Sequence, residues 1–99
     1  MTRGPVWGAE SDDLNATVLV WPPGEGPGEH VNAERDVLYV VLAGTLVLTV
    51  EGVDLALAAG EATIVAKGTK RRAVAGAAGV RYLTAHRRRG GLQIRPPAR

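Results

Sequence analysis

The 99 residues contain no cysteine and no phenylalanine, and aromatic rings are confined to two Trp and two Tyr. Without thiols, disulfides, thiolate catalysis and cysteine-ligated zinc or iron–sulfur centres are excluded, leaving histidine nitrogen and side-chain oxygen as metal ligands. No apolar run approaches the length of a membrane-spanning helix, and the opening MTRGPVWGAESDD lacks the apolar centre of a signal peptide. A cytoplasmic protein with no membrane partner is therefore expected. Acids are missing from the last third: residues 67–99 hold ten Lys and Arg and no Asp or Glu, whereas residues 1–66 hold all ten acids and only Arg3 and Arg35. Such a split suits two halves of one fold, or two subunits, that meet each other. Nucleic acid is not expected as a partner. The basic stretches KGTKRR (67–72) and HRRR (86–89) have only Tyr82 nearby as a stacking ring, and no helix is available to enter a groove.

What is present is branched aliphatic sequence. Apolar residues make up 45% of the chain, and with so few rings the core must be built from Val, Leu, Ile and Ala, which favour strands. ATVLVW (16–21) reads as a short strand stopped by Pro22-Pro23, which cannot continue a ladder. PPGEGPGEH reads as an extended crossing. DVLYVVLAG (36–44) and TLVLTVEG (45–52) read as two strands joined by a tight turn at Ala43-Gly44, followed by VDLALAAGE (53–61), ATIVAKGT, RRAVAG and VRYLTAH, with bends at Gly68, Gly76 and Gly79. Short strands, frequent turn signals and no helical period predict an all-β sandwich or barrel.

Two glycine-bounded stretches sharpen this. In the first, five residues separate Gly24 from His30, Asn32 stands two positions on, and six residues separate Val37 from the closing Gly44. In the second, Gly60 leads to Ala66, Gly68, Arg71 and Ala75. The spacing resembles that of the cupins, whose first motif is Gly, five residues, His-x-His, three or four residues, Glu, six residues, Gly. Their second motif is Gly, five residues, Pro-x-Gly, two residues, His, three residues, Asn. The likeness covers residues 24–75 and implies a cupin-type double-stranded β-helix, a jelly-roll barrel. Residues 1–14 would form a short N-terminal arm or edge strand, 15–89 the barrel and 90–99 a basic C-terminal tail. The glycines are kept, as backbone geometry at turns demands. Of the four usual metal ligands only His30 survives, with Asn32, Val37 and Arg71 in the other places.

An amide oxygen is a poor ligand for Zn, Fe or Ni, Val37 offers none, and a permanent guanidinium repels a cation. The expectation is a metal-independent pocket, with no cofactor, that binds a small anionic molecule. Arg71, with its fork of donors, would anchor a carboxylate or phosphate bidentately. Asn32 shares a strand face with His30, and Tyr39 with Val37; both are further ligand-binding candidates. His30 is the catalytic candidate, as an orienting or proton-transfer group. In outline this resembles the metal-free sugar epimerases and cyclases among the cupins. A second reading is a metal-dependent cupin enzyme of isomerase or dioxygenase type. Its divalent ion would sit in a rearranged site of His30, Asp36 turned inward by a β-bulge, Glu34 and His86. A third is a non-catalytic structural or regulatory barrel whose interior is filled by side chains. A homodimer is expected, since small jelly rolls expose edges and apolar patches that a two-fold partner covers.

Overall fold

The structure, a computed structural model, describes residues 3–88, and within them the alternating apolar pattern produces seven strands and no helix. The strands are β1 (Gly4–Glu10), β2 (Leu14–Trp21), β3 (His30–Val31), β4 (Val37–Val50), β5 (Val53–Ala58), β6 (Ala62–Val65) and β7 (Lys70–Arg87). All pairings are antiparallel, in the order β1-β2-β7-β4-β5, with β3 on β7 and β6 on β4. The all-β expectation holds. Residues 90–99, expected as a basic tail, lie outside the described residues, and among the latter no helix is long and apolar enough to cross a membrane.

The strand count needs correction in two places. Residues 36–44 and 45–52 are not two strands joined by a turn but one bent strand, β4, and RRAVAG and VRYLTAH are likewise one strand, β7. The ladder between them has two longer parts joined by the pairs Ala43–Arg81 and Gly44–Val80. Residues 38–41 pair with 82–85 and residues 46–50 with 71–75, with register shifts between Val41 and Ala43 and between Gly44 and Leu46. Since side chains alternate with period two, an irregular insertion swaps which parity faces inward. Val37, Tyr39 and Val41 are buried before the bend in β4, Leu46 and Leu48 after it; in β7 the inward set passes from Arg71, Ala73 and Ala75 to Val80 and Tyr82. Both strands change parity at the same corner.

The corner folds the sheet onto itself. On β4 the partner of Arg71 is Val50, at the far end of the strand from Tyr39 and roughly 35 Å away were the strand straight. Yet Arg71 Nη1 donates to Tyr39 Oη at 3.3 Å. One layer therefore carries β1, β2, β6 and the adjoining ends of β4 and β7, the other carries β3, β5 and the opposite ends. Val37, Tyr39, Val65 and Tyr82 of the first pack with Leu46, Leu48, Leu57 and Ala73 of the second in one apolar core. The crossing after Pro22-Pro23 reaches the second layer at once: Gly24 N–H donates to Ala75 O and Ala75 N–H to Glu25 O. Glu51-Gly52, both at positive φ, form the two-residue turn from β4 to β5, the geometry such hairpins prefer.

The outer face of the first layer is apolar across its middle, between the exposed Arg81 and Arg87 of β7. Ala62, Val40, Leu83, Val18 and Trp7 stand opposite one another across β6, β4, β7, β2 and β1, and Ile64, Leu38, Ala85 and Ala16 form a second row. At its ends Trp7 is 53% and Ile64 64% exposed.

Gly44 is the tightest point of the corner. It has φ +77°, and a Cβ there would lie 2.1 Å from the Gly79 carbonyl oxygen, backbone that cannot swing aside. Gly60, at φ +88°, faces open space. Gly60→Ala is expected to cost about 1 kcal/mol, and Gly44→Ala roughly 3 kcal/mol or more, because steric exclusion adds to the same backbone strain. Urea unfolding of both variants checks the order; equal losses would refute the close crossing.

Candidate functional site

Between the layers lies a cavity of about 240 Å³. Its first-layer wall is Leu19, Val37, Tyr39, Tyr82, Thr84 and His86, and its second-layer wall is Arg71 with His30, Asn32 and Pro27. Four of the expected site residues, His30, Asn32, Tyr39 and Arg71, thus meet in one place, joined by His86. Asp36 and Glu34 do not line it. Inward parity at Val37 turns Asp36 outward, where Oδ1 accepts the Lys67 N–H at 2.9 Å, and both acids border a separate surface hollow with Arg35, Lys67 and Arg87.

Arg71 is 1% exposed. Its Nε donates to Thr69 O at 3.1 Å and Nη1 to Tyr39 Oη at 3.3 Å, while Nη2 is buried without a partner. The guanidinium is therefore met by two neutral oxygens. Buried cations normally have a counter-charge, because desolvation costs several kcal/mol. With Nε and Nη1 engaged, the side of the fork that uses Nε is closed, and Nη2 is the guanidinium nitrogen left without a partner. Tyr39 accepts from Arg71, so its own proton is free to donate, and its ring stacks on Tyr82 with centroids 6.0 Å apart and planes 26° from parallel.

The two imidazoles are pinned in the same way. His30 is the direct ladder partner of Arg71, and its Nδ1 lies 3.3 Å from Gly28 O. His86 Nδ1 lies 3.0 Å from Arg87 O. A carbonyl only accepts, so in each ring Nδ1 carries the hydrogen and Nε2 bears the lone pair of the neutral form. Asn32 is spent differently. Its Oδ1 accepts the N–H groups of Glu34 and Arg35, each at 3.1 Å, a local turn that leaves only the amide nitrogen for a ligand. Thr84 and Tyr82 were missed as lining residues. The alternation Tyr82-Leu83-Thr84-Ala85-His86, with every second residue polar, was the available signal.

The residues do not fit the metal site that the resemblance implied. The Asn32 oxygen is committed, Val37 has no donor, and Arg71 places a buried positive charge at a ligand position. Among the described residues no three His, Asp or Glu side chains are grouped to hold an ion.

Folded antiparallel layers around a largely apolar cavity with a few polar groups define the class, a small jelly-roll β fold. The sequence profile of the cupin domain matches residues 17–85, well over half the chain, and the protein belongs to that family. Solved structures agree in fold. KdgF from Halomonas sp. has a TM-score of 0.77 at 23% identity, covering 92% of this chain and 81% of its own. An RmlC-like cupin from Shewanella frigidimarina has 0.72 at 19%, covering 85% and 74%. The Cnp3 cupin domain of Schizosaccharomyces pombe has 0.73 at 19%, covering 86% and 62%. The sequence matches no curated protein.

The stacked tyrosines give the cavity a signature in alkali. Burial pushes the Tyr82 phenol up to about 12, with the Trp21 indole opposing and Tyr39 reinforcing the rise. The Trp21 N–H does not reach hydrogen-bond geometry and stays a buried donor without a partner, so its influence is weak. The unfolded chain releases this proton near 10.0. Stability from the group is complete below pH 10 and is lost as pH rises towards 12, on the order of 2–3 kcal/mol in all. Tyr82→Phe is expected to show a shallower fall in unfolding free energy between pH 10 and 12; a parallel fall would show that the phenol is not desolvated.

Proposed function

We propose that this cupin is a metal-independent barrel whose cavity binds a small anionic molecule. One observation carries the reading: Arg71, a residue of the cavity wall, has a fully buried guanidinium whose Nη2 lacks a partner. An anion at Nη2 supplies the missing counter-charge, and a charge-assisted hydrogen bond in a dry site is among the stronger ones. The volume, about 240 Å³, lies below the roughly 300–1,000 Å³ of drug-sized sites, so the ligand is compact. Leu19, Val37 and the tyrosine stack serve as apolar walls, Tyr39 and the Asn32 amide nitrogen as neutral donors, and His30 as the orienting or proton-transfer group. A barrel filled by its own side chains would leave no such space.

The unit of assembly in this proposal is a homodimer formed through the apolar outer face of the first layer. Its occupant is a second copy, because the two rows hold no charged residue that self-pairing would strand. Five strands at about 4.8 Å spacing and two rows about 7 Å apart give roughly 300 Å² per copy, so neighbouring residues of the same face join the contact to reach the ~1,000 Å² total of a specific interface.

Arg71→Met, which keeps apolar bulk and removes the charge, is expected to leave the ligand-free melting temperature unchanged or higher. It should abolish the rise that phosphate or small carboxylates produce in the native protein, about 2.7 kcal/mol at a hundredfold excess over Kd. An undiminished rise in the variant would remove Arg71 as anchor. For assembly, Val40→Arg with Leu83→Arg is expected to convert a dimer to a folded monomer in sedimentation equilibrium. A monomeric native protein would refute the interface.

A further inference from the structure

The hydrogen-bond polarity of the cavity says more about the ligand than that it is an anion. Donors cluster at one end: Arg71 Nη2 without a partner, and the Tyr39 hydroxyl, whose oxygen is already taken by Arg71 Nη1. Acceptors stand around them. His30 is the ladder neighbour of Arg71, and directly opposed residues on one face have Cβ atoms about 5 Å apart. Its Nδ1 is turned to Gly28 O, so Nε2 is the ring nitrogen left over, on a side chain that lines the cavity at its exposed rim. His86 stands on the other layer, two positions beyond Thr84, which itself faces Tyr39 across the ladder. Its Nδ1 is turned to Arg87 O, and again Nε2 is left.

A simple anion satisfies only part of this. A carboxylate brings oxygens that accept and none that donate, and hydrogen phosphate carries a single P–OH, so beside Arg71 a simple carboxylate would set its lone pairs against that of His30 Nε2. His86 Nε2 would be left facing apolar ligand or nothing. Polar groups shut away without partners cost free energy that water had supplied. The complementary molecule accepts at one end and donates along its length: a carboxylate bearing hydroxyl groups. A hydroxyl next to the carboxylate meets His30 Nε2, a more distant one meets His86 Nε2, and the carbon chain lies along Leu19, Val37 and the stacked rings.

We infer that the cavity selects a small hydroxy acid over unsubstituted or oxo acids of the same length, with His30 and His86 reading the hydroxyl groups. This rests on the anion-binding reading above and narrows it to a class. Sites that hydrogen-bond a ligand hydroxyl discriminate strongly against the analogue without it, because the protein's polar group is left unpaired.

The experiment compares threonate, butanoate, 2-oxobutanoate and inorganic phosphate by titration calorimetry at about pH 8, above the ordinary imidazole range. Threonate is expected to bind at least about tenfold more tightly than butanoate or the oxo acid. His86→Phe should lower threonate affinity towards that of butanoate while leaving butanoate unchanged, and His86→Gln, which keeps an accepting oxygen, should restore part of the gap. Arg71→Met should lose all four ligands. Equal affinities for threonate and butanoate in the native protein would overturn the hydroxy-acid inference and leave the anion site standing, as would a gap that survives both His30→Phe and His86→Phe. Failure of all four compounds to bind would overturn the anion reading itself.

Discussion

Everything in this fold depends on the backbone crossing of β4 and β7 at Gly44 and Gly79. There two strands bend together, and the Gly44 Cα hydrogen side meets the Gly79 carbonyl with no room for a methyl group. The bend is what turns one continuous antiparallel ladder into two facing layers. It also resets side-chain parity in both strands at once, so that Tyr39 and Leu48, or Arg71 and Tyr82, face a common interior although their positions differ in parity. A flat sheet of the same residues would have put half of the present core on the outside.

The site is a product of that geometry. Arg71 and Tyr39 sit near opposite ends of the β4–β7 ladder and touch only because the ladder doubles back. His30 comes from β3, a strand of two residues that exists because the chain crosses to the second layer after Pro22-Pro23 and pairs with Lys70 and Arg71. His86 comes from the end of β7, far beyond the corner. Three strands, β3, β4 and β7, thus bring their polar atoms to a small volume against an aliphatic wall, and the tautomers are set by the backbone carbonyls of Gly28 and Arg87.

The sequence made much of this readable. Period-two alternation in DVLYVV put Tyr39 on the inward face with Val37, the same alternation in VRYLTAH went unread, and the glycine spacing of the two motifs pointed to the family. The break between TLVLTVEG and VDLALAAGE fell at the β4–β5 hairpin, where Glu51-Gly52 take the positive φ a two-residue turn needs. Gly44 gave the same local signal and was read the same way, as a turn. What separates a turn from a bent strand is whether the far side of the ladder continues, and that is decided by Val80, the partner of Gly44 in β7, beyond any local pattern. His86 was legible as a donor but not as a cavity residue, since HRRR reads as a wetted basic edge. The loss of the Asn32 oxygen to Glu34 and Arg35 depended on a local turn, for which Asn is a common but not a sufficient cue.

The substitution at Arg71 changes what kind of charge the barrel carries. A metal ion is a loan from the medium: its occupancy follows supply, chelators, competing ions and the protonation of its ligands. A guanidinium is covalent and stays protonated throughout the range in which proteins are folded. The positive pole of this cavity is therefore made at the ribosome in strict one-to-one proportion with the chain and needs no loading step. No other ion can exchange for it.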